Sequence, residues 1–409
     1  MKLLYNLGLF LYKLLLLAVA PFHKKAKQWI VGRKDLFKQL AATDFQGKIV
    51  WFHCASLGEF EQGRPLMEAI KKDKNEVKIL LTFFSPSGYE IRKNYALADY
   101  VFYLPLDTKS NARKFIHLVK PTVAVFVKYE FWHHYISELA KRQIPIFSIS
   151  AIFREKQLFF KAYGSWYLQT LKKITHFFVQ NEASKELLQR HGINNVSISG
   201  DTRFDRVAEI AKNAKKIERI EKFKGENLLF IAGSSWIHDE EIITKFINTK
   251  HYKIKYVFAP HEIHKSNINR LCSILQKKVV KYSEFDENSH ADVLIIDNIG
   301  LLSSAYQYAD IAYVGGAFKT GLHNVLEAAT FGIPVICGPK FEKFSEAVSL
   351  VEKKGLIAVK NFTEFEEILS KLIENNEYRE KTGAICKKFI ASNIGATKQI
   401  INFLQQFYK

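Results

Sequence analysis

Val314-Gly315-Gly316-Ala317-Phe318-Lys319-Thr320-Gly321-Leu322-His323-Asn324-Val325-Leu326-Glu327-Ala328-Ala329 is the stretch on which the fold turns. Ile311–Val314 is short and apolar, so it reads as a buried strand. The strand ends in Gly-Gly, a Gly/Lys/Thr loop follows, and a helix is expected to begin near His323. Phe331-Gly332-Ile333-Pro334-Val335 then returns the chain to a strand. Backbone amides and the helix dipole would hold an anion at such a strand end. Glu327, one turn into the expected helix, is placed to accept hydrogen bonds from a ribose.

Outward from this segment the same alternation continues in both directions. Before it lie apolar strand runs at Leu228–Ala232, Lys255–Ala259 and Asp292–Ile296, with helical segments at Asp239–Ile247, Ser266–Gln276 and Leu301–Tyr308. After it come Pro334–Cys337, Leu356–Val359 and a mostly helical end, Glu377–Phe407, with breaks expected at Gly383 and Gly395. Earlier, Lys48–His53, Val77–Thr82, Thr122–Val127, Pro145–Ile149 and His176–Val179 read as strands, with a helix over Glu59–Lys71. The charged stretch Arg206–Lys224 has no strand run and separates the two series. Strands alternating with helices specify an α/β protein with parallel sheets. Its 409 residues, at roughly 100–200 per domain, suggest two or three domains, and the two series of strands read as two of comparable size. Doubly wound domains that face each other would leave a cleft at the carboxyl ends of their strands, where ligands bind.

Hydrophobic residues are 48% and charged residues 25% of the chain, which excludes a mainly disordered state and a polytopic membrane protein. Lys and Arg number 60 against 41 Asp and Glu, a net charge of +19. That surface attracts nucleic acid, anionic lipid or phosphorylated substrates. Cys54, Cys272, Cys337 and Cys386 are scattered and fit a reducing compartment; no metal-ligand spacing is visible. Leu3 to Ala20 is almost wholly apolar apart from Lys13, and Lys24, Lys25 and Lys27 follow Pro21. A cleaved signal peptide, a single span and a shallow anchor are the alternatives. Lys13 and the flanking lysines favour an interfacial anchor.

Several other strand ends carry groups suited to chemistry. His53-Cys54-Ala55-Ser56-Leu57-Gly58-Glu59 opens a helix after the first strand; Gly58 suits a tight turn, and Glu59 suits either a general base or a partner for the positive helix end. Thr82, Ser85 and Ser87 suit helix capping or substrate hydroxyl binding. Lys128-Tyr129-Glu130-Phe131-Trp132 places a carboxylate among aromatics. Gly233-Ser234-Ser235 and Pro260-His261-Glu262 follow strands in the second half. No G-x-G-x-x-G follows a strand and no P-loop pattern occurs, which removes support for dinucleotide and P-loop sites.

The segment Gly315-Gly316-Ala317-Phe318-Lys319-Thr320-Gly321-Leu322-His323-Asn324-Val325-Leu326-Glu327-Ala328-Ala329-Thr330-Phe331-Gly332-Ile333-Pro334-Val335-Ile336-Cys337-Gly338-Pro339 resembles the donor site of GT-B glycosyltransferases. More narrowly, it resembles the 3-deoxy-D-manno-octulosonic acid (Kdo) transferase family of lipopolysaccharide synthesis, with its GG-(loop)-GGHNxLEPAxxGxPVxxGP motif. HCASLGE is similar to that family's H-x-x-S-x-GE, VKYEFW to its E-x-E-L-W, and SGDTRFD to its GNLKFD. GSSWIHDEE is similar to GSTHxGEE, and DNIGLL to DTMGEL. Departures are Leu322 for the second Gly of GGHN, Ala328 for the Pro of LEPA, Lys128 for the first Glu of E-x-E, and Pro260-His261 without the Arg of P-R-H.

The resemblance implies a GT-B fold of two facing Rossmann-like domains plus an N-terminal apolar membrane-anchoring helix. The implied parts are an anchor (1–25), an acceptor-binding domain (26–205), a CMP-sugar-binding domain (206–390) and a C-terminal helix (391–409) crossing back toward the first domain. It implies inverting transfer of Kdo from CMP-Kdo to the lipid A precursor (lipid IVA), at the cytoplasmic face of the inner membrane, with no cofactor, metal or nucleic acid. Glu59, Glu130 and Arg203 would be catalytic. Gly233, Ser234, Ser235, Pro260, His261, Gly300, Leu301, Gly315, Gly316, Gly321, His323, Asn324, Val325, Leu326 and Glu327 would bind the donor. Ser56, Gly58, Thr82, Ser85 and Ser87 would bind the acceptor. The competing readings are another GT-B glycosyltransferase or UDP-sugar epimerase, and a non-catalytic membrane- or nucleic-acid-binding protein.

Overall fold

Two all-parallel sheets of seven strands organise the chain in the computed structural model, which describes residues 1–73, 76–286 and 288–408. Contacts divide the chain into two compact units, Met1–Asp205 with Gly395–Lys409, and Arg206–Ile394.

The first sheet holds β1 (Ile49–Cys54), β2 (Lys78–Phe83), β3 (Tyr100–Tyr103), β4 (Val123–Val127), β5 (Ile146–Ala151), β6 (His176–Val179) and β7 (Val196–Ile198). Their order is β3-β2-β1-β4-β5-β6-β7. The second holds β8 (Leu228–Ser235), β9 (Ile254–Pro260), β10 (Val279–Lys281), β11 (Val293–Ile295), β12 (Ile311–Val314), β13 (Val335–Cys337) and β14 (Leu356–Ala358), in the order β10-β11-β9-β8-β12-β13-β14. A parallel sheet is covered on both faces, so its inner strands are continuously apolar. Every residue of β1, β4 and β5 is buried accordingly.

β3, β7 and β10 were not anticipated from sequence. β3 and β10 are edge strands and β7 closes the other edge of the first sheet; all three are short and partly exposed, and β7 and β10 each carry a polar residue that interrupts the apolar run.

The strand order sets the site positions. In the first unit the chain builds outward from β1 through β2 to β3, then returns to lay β4 on the opposite side of β1. In the second unit β8 and β12 are neighbours in the same way, with Val314 opposite Gly233. Ligands in open α/β sheets bind at such reversals, beyond the carboxyl ends of the two strands.

The helix α1 (Lys2–Val19) is long and apolar enough to cross a membrane, with mean hydropathy 1.6 and none of its window buried. It nevertheless docks on the first unit by one stripe. The Tyr5 hydroxyl donates to Asp107 at 2.6 Å, and the Tyr12 ring lies 6.1 Å from Trp29 and 6.2 Å from Phe84. Leu3, Leu7, Leu14 and Leu15 face outward. The helix α2 (Lys24–Val31) follows, then α3 (Leu36–Ala42).

At the other end of the chain, Gly383 does not break its helix, which runs unbroken over Asn376–Ala391. A side chain there would meet the Gly332 carbonyl at 2.2 Å, so this glycine serves close packing. Gly395 does break the chain, with φ +116°. The helix Ala396–Tyr408 beyond it buries Ile400, Ile401, Leu404 and Tyr408 with β1, β2, β4 and β5 residues of the first unit.

Candidate active site

Ser56 precedes α4 (Leu57–Lys72), and its backbone N–H donates to Glu59 Oε2 at 2.9 Å, closing a capping interaction. The helix therefore starts at Leu57, ahead of the expected Glu59. Gly58 sits inside its first turn with no positive φ, so the tight turn expected of it is absent. Burial, and then the nearby Glu130 carboxylate, push the Glu59 pKa up to about 7, against the pull of Ser56 N–H and the Lys128 cation. A carboxylate held near 7 is suited to general base work at neutral pH. The helix-partner reading of Glu59 is thus observed directly in its bond to Ser56 N–H.

β4 ends at Val127, and Lys128 adopts a left-handed φ of 58° that carries the chain to Glu130. The Trp132 indole N–H donates to Glu130 Oε2 at 2.7 Å and lies 3.1 Å from His53 Nε2. His53 Nε2 is itself 3.3 Å from Glu130 Oε2. On its other side His53 Nδ1 meets the Thr82 hydroxyl at 2.9 Å, which also accepts from Trp51 Nε1 at 2.8 Å. A buried line of polar groups thereby fixes the Glu130 carboxylate. His53 is a residue of this cluster that sequence spacing does not single out, because a strand histidine shows no tie to Glu130 until the sheet is formed.

Thr82 is fully buried and its hydroxyl is engaged by Trp51 and His53, so it positions His53 and does not contact an acceptor. Ser85 caps α5 (Pro86–Arg92) by accepting from Ser87 N–H, and the two hydroxyls lie 2.9 Å apart. Arg203 opens the helix Arg203–Lys212 and forks onto Asp201 through Nε at 3.0 Å and a terminal nitrogen at 2.7 Å. Burial alone would raise the Asp201 carboxyl, but Arg203 and Gln62 hold it below the usual carboxylate range. Gln62 lies on α4, one turn beyond Glu59, so the same helix carries Glu59 and, through Asp201, anchors the arginine.

In the second unit, β8 and β12 end at the glycines that the sequence marked. A Cβ on Gly233 would meet the Tyr306 hydroxyl at 1.9 Å, and one on Gly315 the Ser234 carbonyl at 2.4 Å. Gly316 has φ +95°, its N–H donates to Asp239 at 2.9 Å, and its carbonyl accepts from Gly321 N–H. Asp239 also accepts from Trp236 N–H and from the Tyr313 hydroxyl at 2.7 Å. This buried carboxylate knits both strand ends together; its motif was quoted, but nothing in spacing alone marks one acid of Asp239-Glu240-Glu241.

No helix starts near His323. His323 N–H donates back to the Gly315 carbonyl, and the first helical residues are Leu326–Ala329, a single turn capped by Asn324. The dipole expected there is correspondingly small, because a macrodipole needs aligned turns. Glu327 is oriented by the Ser303 hydroxyl at 2.7 Å and by the Asn324 amide at 3.1 Å. Ser303 follows Gly300 and Leu301, so that loop joins the same strand-end cluster.

Val325 and Leu326 are buried, leaving only their backbone for a ligand. Leu322 is also buried, so the larger residue in place of glycine points inward. The Ser235 hydroxyl donates to buried Glu240 at 3.0 Å, which also pairs with Arg270, so this side chain turns away from the strand-end opening. Pro260 is buried at the end of β9.

His261, where the resembling family has P-R-H, stacks on Trp236 at 4.4 Å and lies 4.6 Å from the His323 ring. Trp236 Nε1 donates to His323 Nε2 at 3.0 Å. Burial and then His261 push the His323 pKa down to about 4, so the ring is neutral with its proton on Nδ1.

Comparison with known proteins agrees in direction. The family model described as 3-Deoxy-D-manno-octulosonic-acid transferase (kdotransferase) matches residues 30–206. A 3-deoxy-D-manno-octulosonic acid transferase of Aquifex aeolicus is 31% identical over 350 residues, covering 83% of this chain and 90% of that protein. One from Haemophilus influenzae is 25% identical over 399 residues, covering 93% and 92%. Among solved structures, a UDP-GlcNAc 2-epimerase from Neisseria meningitidis bound to UDP-GlcNAc has a TM-score of 0.61 at 16% identity, covering 88% of this chain and all of that one. MurG from Acinetobacter baumannii has a TM-score of 0.56 at 10% identity with the same coverages. These structural likenesses show the shared α/β fold of GT-B type.

Proposed function

The chain belongs to the 3-deoxy-D-manno-octulosonic acid transferase family and is a glycosyltransferase, and from that premise we propose that it transfers Kdo from CMP-Kdo to the lipid A precursor lipid IVA. The observation that carries the mechanism is the Glu59 carboxyl, lifted to about 7 beside Glu130 at the reversal between β1 and β4.

An acceptor hydroxyl attacks the anomeric carbon as the bond to the CMP phosphate breaks. Glu59 takes the hydroxyl proton, and the anomeric centre inverts. Glu130, locked by Trp132 and His53, keeps a second negative charge nearby and so holds the Glu59 pKa up. Arg203 is the cation assigned to charge developing on the leaving phosphate. The second unit takes the nucleotide at the ends of β8 and β12, with Glu327 facing the ribose. Gly58, Ser56, Ser85 and Ser87 are the acceptor-side contacts.

α1 and its flanking lysines attach the enzyme to the cytoplasmic face of the inner membrane. The outward leucines of α1, on a helix docked by its tyrosines, favour lying in the interface.

The test is mass spectrometry of the acceptor after incubation with CMP-Kdo and pure protein, with a chelator present throughout because the reaction as written needs no metal. A mass gain of one or more Kdo residues is expected, and its size counts the sugars transferred. Glu59→Ala should lower turnover at least 100-fold while leaving the thermal melt cooperative. Absence of transfer by the pure wild-type protein overturns the reading.

A further inference from the structure

An open groove of about 310 Å³ runs between α1, the start of α2 and the turn that opens α5. Tyr12, Leu16, Val19, Ala26, Trp29 and Phe84 form its apolar walls, and His23 and Lys25 stand along it. Its volume lies at the lower end of the roughly 300–1,000 Å³ typical of ligand pockets. We propose that this groove receives one acyl chain of the glycolipid acceptor, so that chain binding positions the sugar headgroup at Glu59 and Glu130. This rests on the transferase function above and adds to it a subsite for the apolar part of the acceptor.

Three observations specify a chain as the occupant. First, the groove wall packs directly on the residue that holds Glu130. Phe84, in its wall, packs on Trp132 with ring centroids 4.7 Å apart, and Trp132 donates to Glu130. An occupant of the groove therefore ends one aromatic layer from the catalytic carboxylates.

Second, the wall is built and held. Arg33 donates to the carbonyls of Phe84 at 2.7 Å, Leu104 at 2.9 Å and Trp29 at 3.1 Å, and its guanidinium lies 3.9 Å over the Trp29 ring. These bonds tie α2 to the strand-end loops, and the Trp29 and Phe84 rings, edge to face with centroids 5.7 Å apart, form one continuous aromatic wall of the groove.

Third, the chemistry is graded along α1. Its outward face is leucine-rich and fits the acyl phase, while its inner face bounds the groove, and Lys25 supplies a cation, with the His23 ring beside it, for the phosphates of such a lipid. A chain leaving the bilayer beside α1 would stay in apolar contact along its path.

Two measurements on the full-length protein in nanodiscs test this. In the first, an acceptor analogue with a diazirine near the end of one acyl chain is photolysed on the enzyme and the labels are mapped. Labels on Trp29, Phe84 or Pro86 are expected. Labels confined to the outward leucines Leu3, Leu7 and Leu14 overturn the proposal, and this readout needs no sugar transfer. In the second, kcat/KM is measured for the acylated acceptor and for the same disaccharide stripped of its chains by alkali.

Leu16→Trp fills the groove and should lower the acylated-to-stripped ratio about 15-fold, equivalent to about two buried methylenes at roughly 0.8 kcal/mol each. Leu16→Ala, which removes bulk from an exposed helix, should leave the fold intact and shift preference toward longer chains. An unchanged ratio in both variants overturns the groove as a chain site. Failure of the wild type to transfer Kdo to either acceptor overturns the transferase reading instead, and the labelling pattern still reports on the groove.

Discussion

Glu59 accepts a hydrogen bond that favours its charged form while sitting in surroundings that disfavour it. Ser56 N–H and Lys128 pull the pKa down; burial and Glu130 pull harder the other way, to about 7. If Glu59 acts as the proposed base it acts deprotonated, so kcat/KM should rise with pH and level off above about 7. Removing the Lys128 cation removes a force that lowers the pKa. Lys128→Ala should therefore move the acid limb of the pH–rate profile to higher pH, and a profile unchanged within error would show that Lys128 does not act on the base. The carboxylates and their motifs were legible in the chain. Their coupling was not, because His53 and Glu59 at and just beyond the end of β1, Thr82 on β2 and Glu130 with Trp132 after β4 come together only through the sheet, and spacing along the chain carries no trace of that convergence.

The elements that form the sites are strand ends, and here glycine does structural as well as ligand-related work. A Cβ added to Gly315 would lie 2.4 Å from the Ser234 carbonyl oxygen and 2.7 Å from Asp239 Oδ2, so the Gly-Gly run brings β12 against β8 before any ligand is considered. Gly315→Ala should destabilise the second unit by about 1–3 kcal/mol through overpacking, read as a lower thermal midpoint, and should weaken nucleotide binding measured by calorimetry.

The run of glycines does mark a strand end, at Val314, yet the helix expected after it shrinks to Leu326–Ala329. Helical spacing of Leu322, Val325, Leu326 and Ala329 is genuine, but the backbone N–H groups of Gly321 and His323 find partners at Gly316 and Gly315. Those local bonds win over propagation of a short helix, whose nucleation is costly.

Across the whole molecule, the chain's last helix belongs with its first half. Ile400, Ile401, Leu404 and Tyr408 complete the apolar face beside β1, β2, β4 and β5, and Asp205 accepts from the N–H groups of Gly395 and Thr397. Ile400→Ala should cost about 2–5 kcal/mol. Hydrogen exchange should show the loss in β1, β4 and β5, with β8, β12 and β13 keeping their protection; equal loss in both sheets would refute the division into two units.

The amino-acid sequence by itself determined the repeating strand–helix pattern, the separation near residue 206, the positions of the strand-end motifs and the family they belong to. These are local features: apolar runs, glycines and short motifs are written contiguously. Only the tertiary structure decided that β4 returns beside β1 and β12 beside β8, and hence that Glu59 meets Glu130 and that Gly233 meets Gly315. Strand order is a matter of which buried faces and backbone ladders are satisfied together, and every parallel neighbour is a non-local pairing made across a crossover.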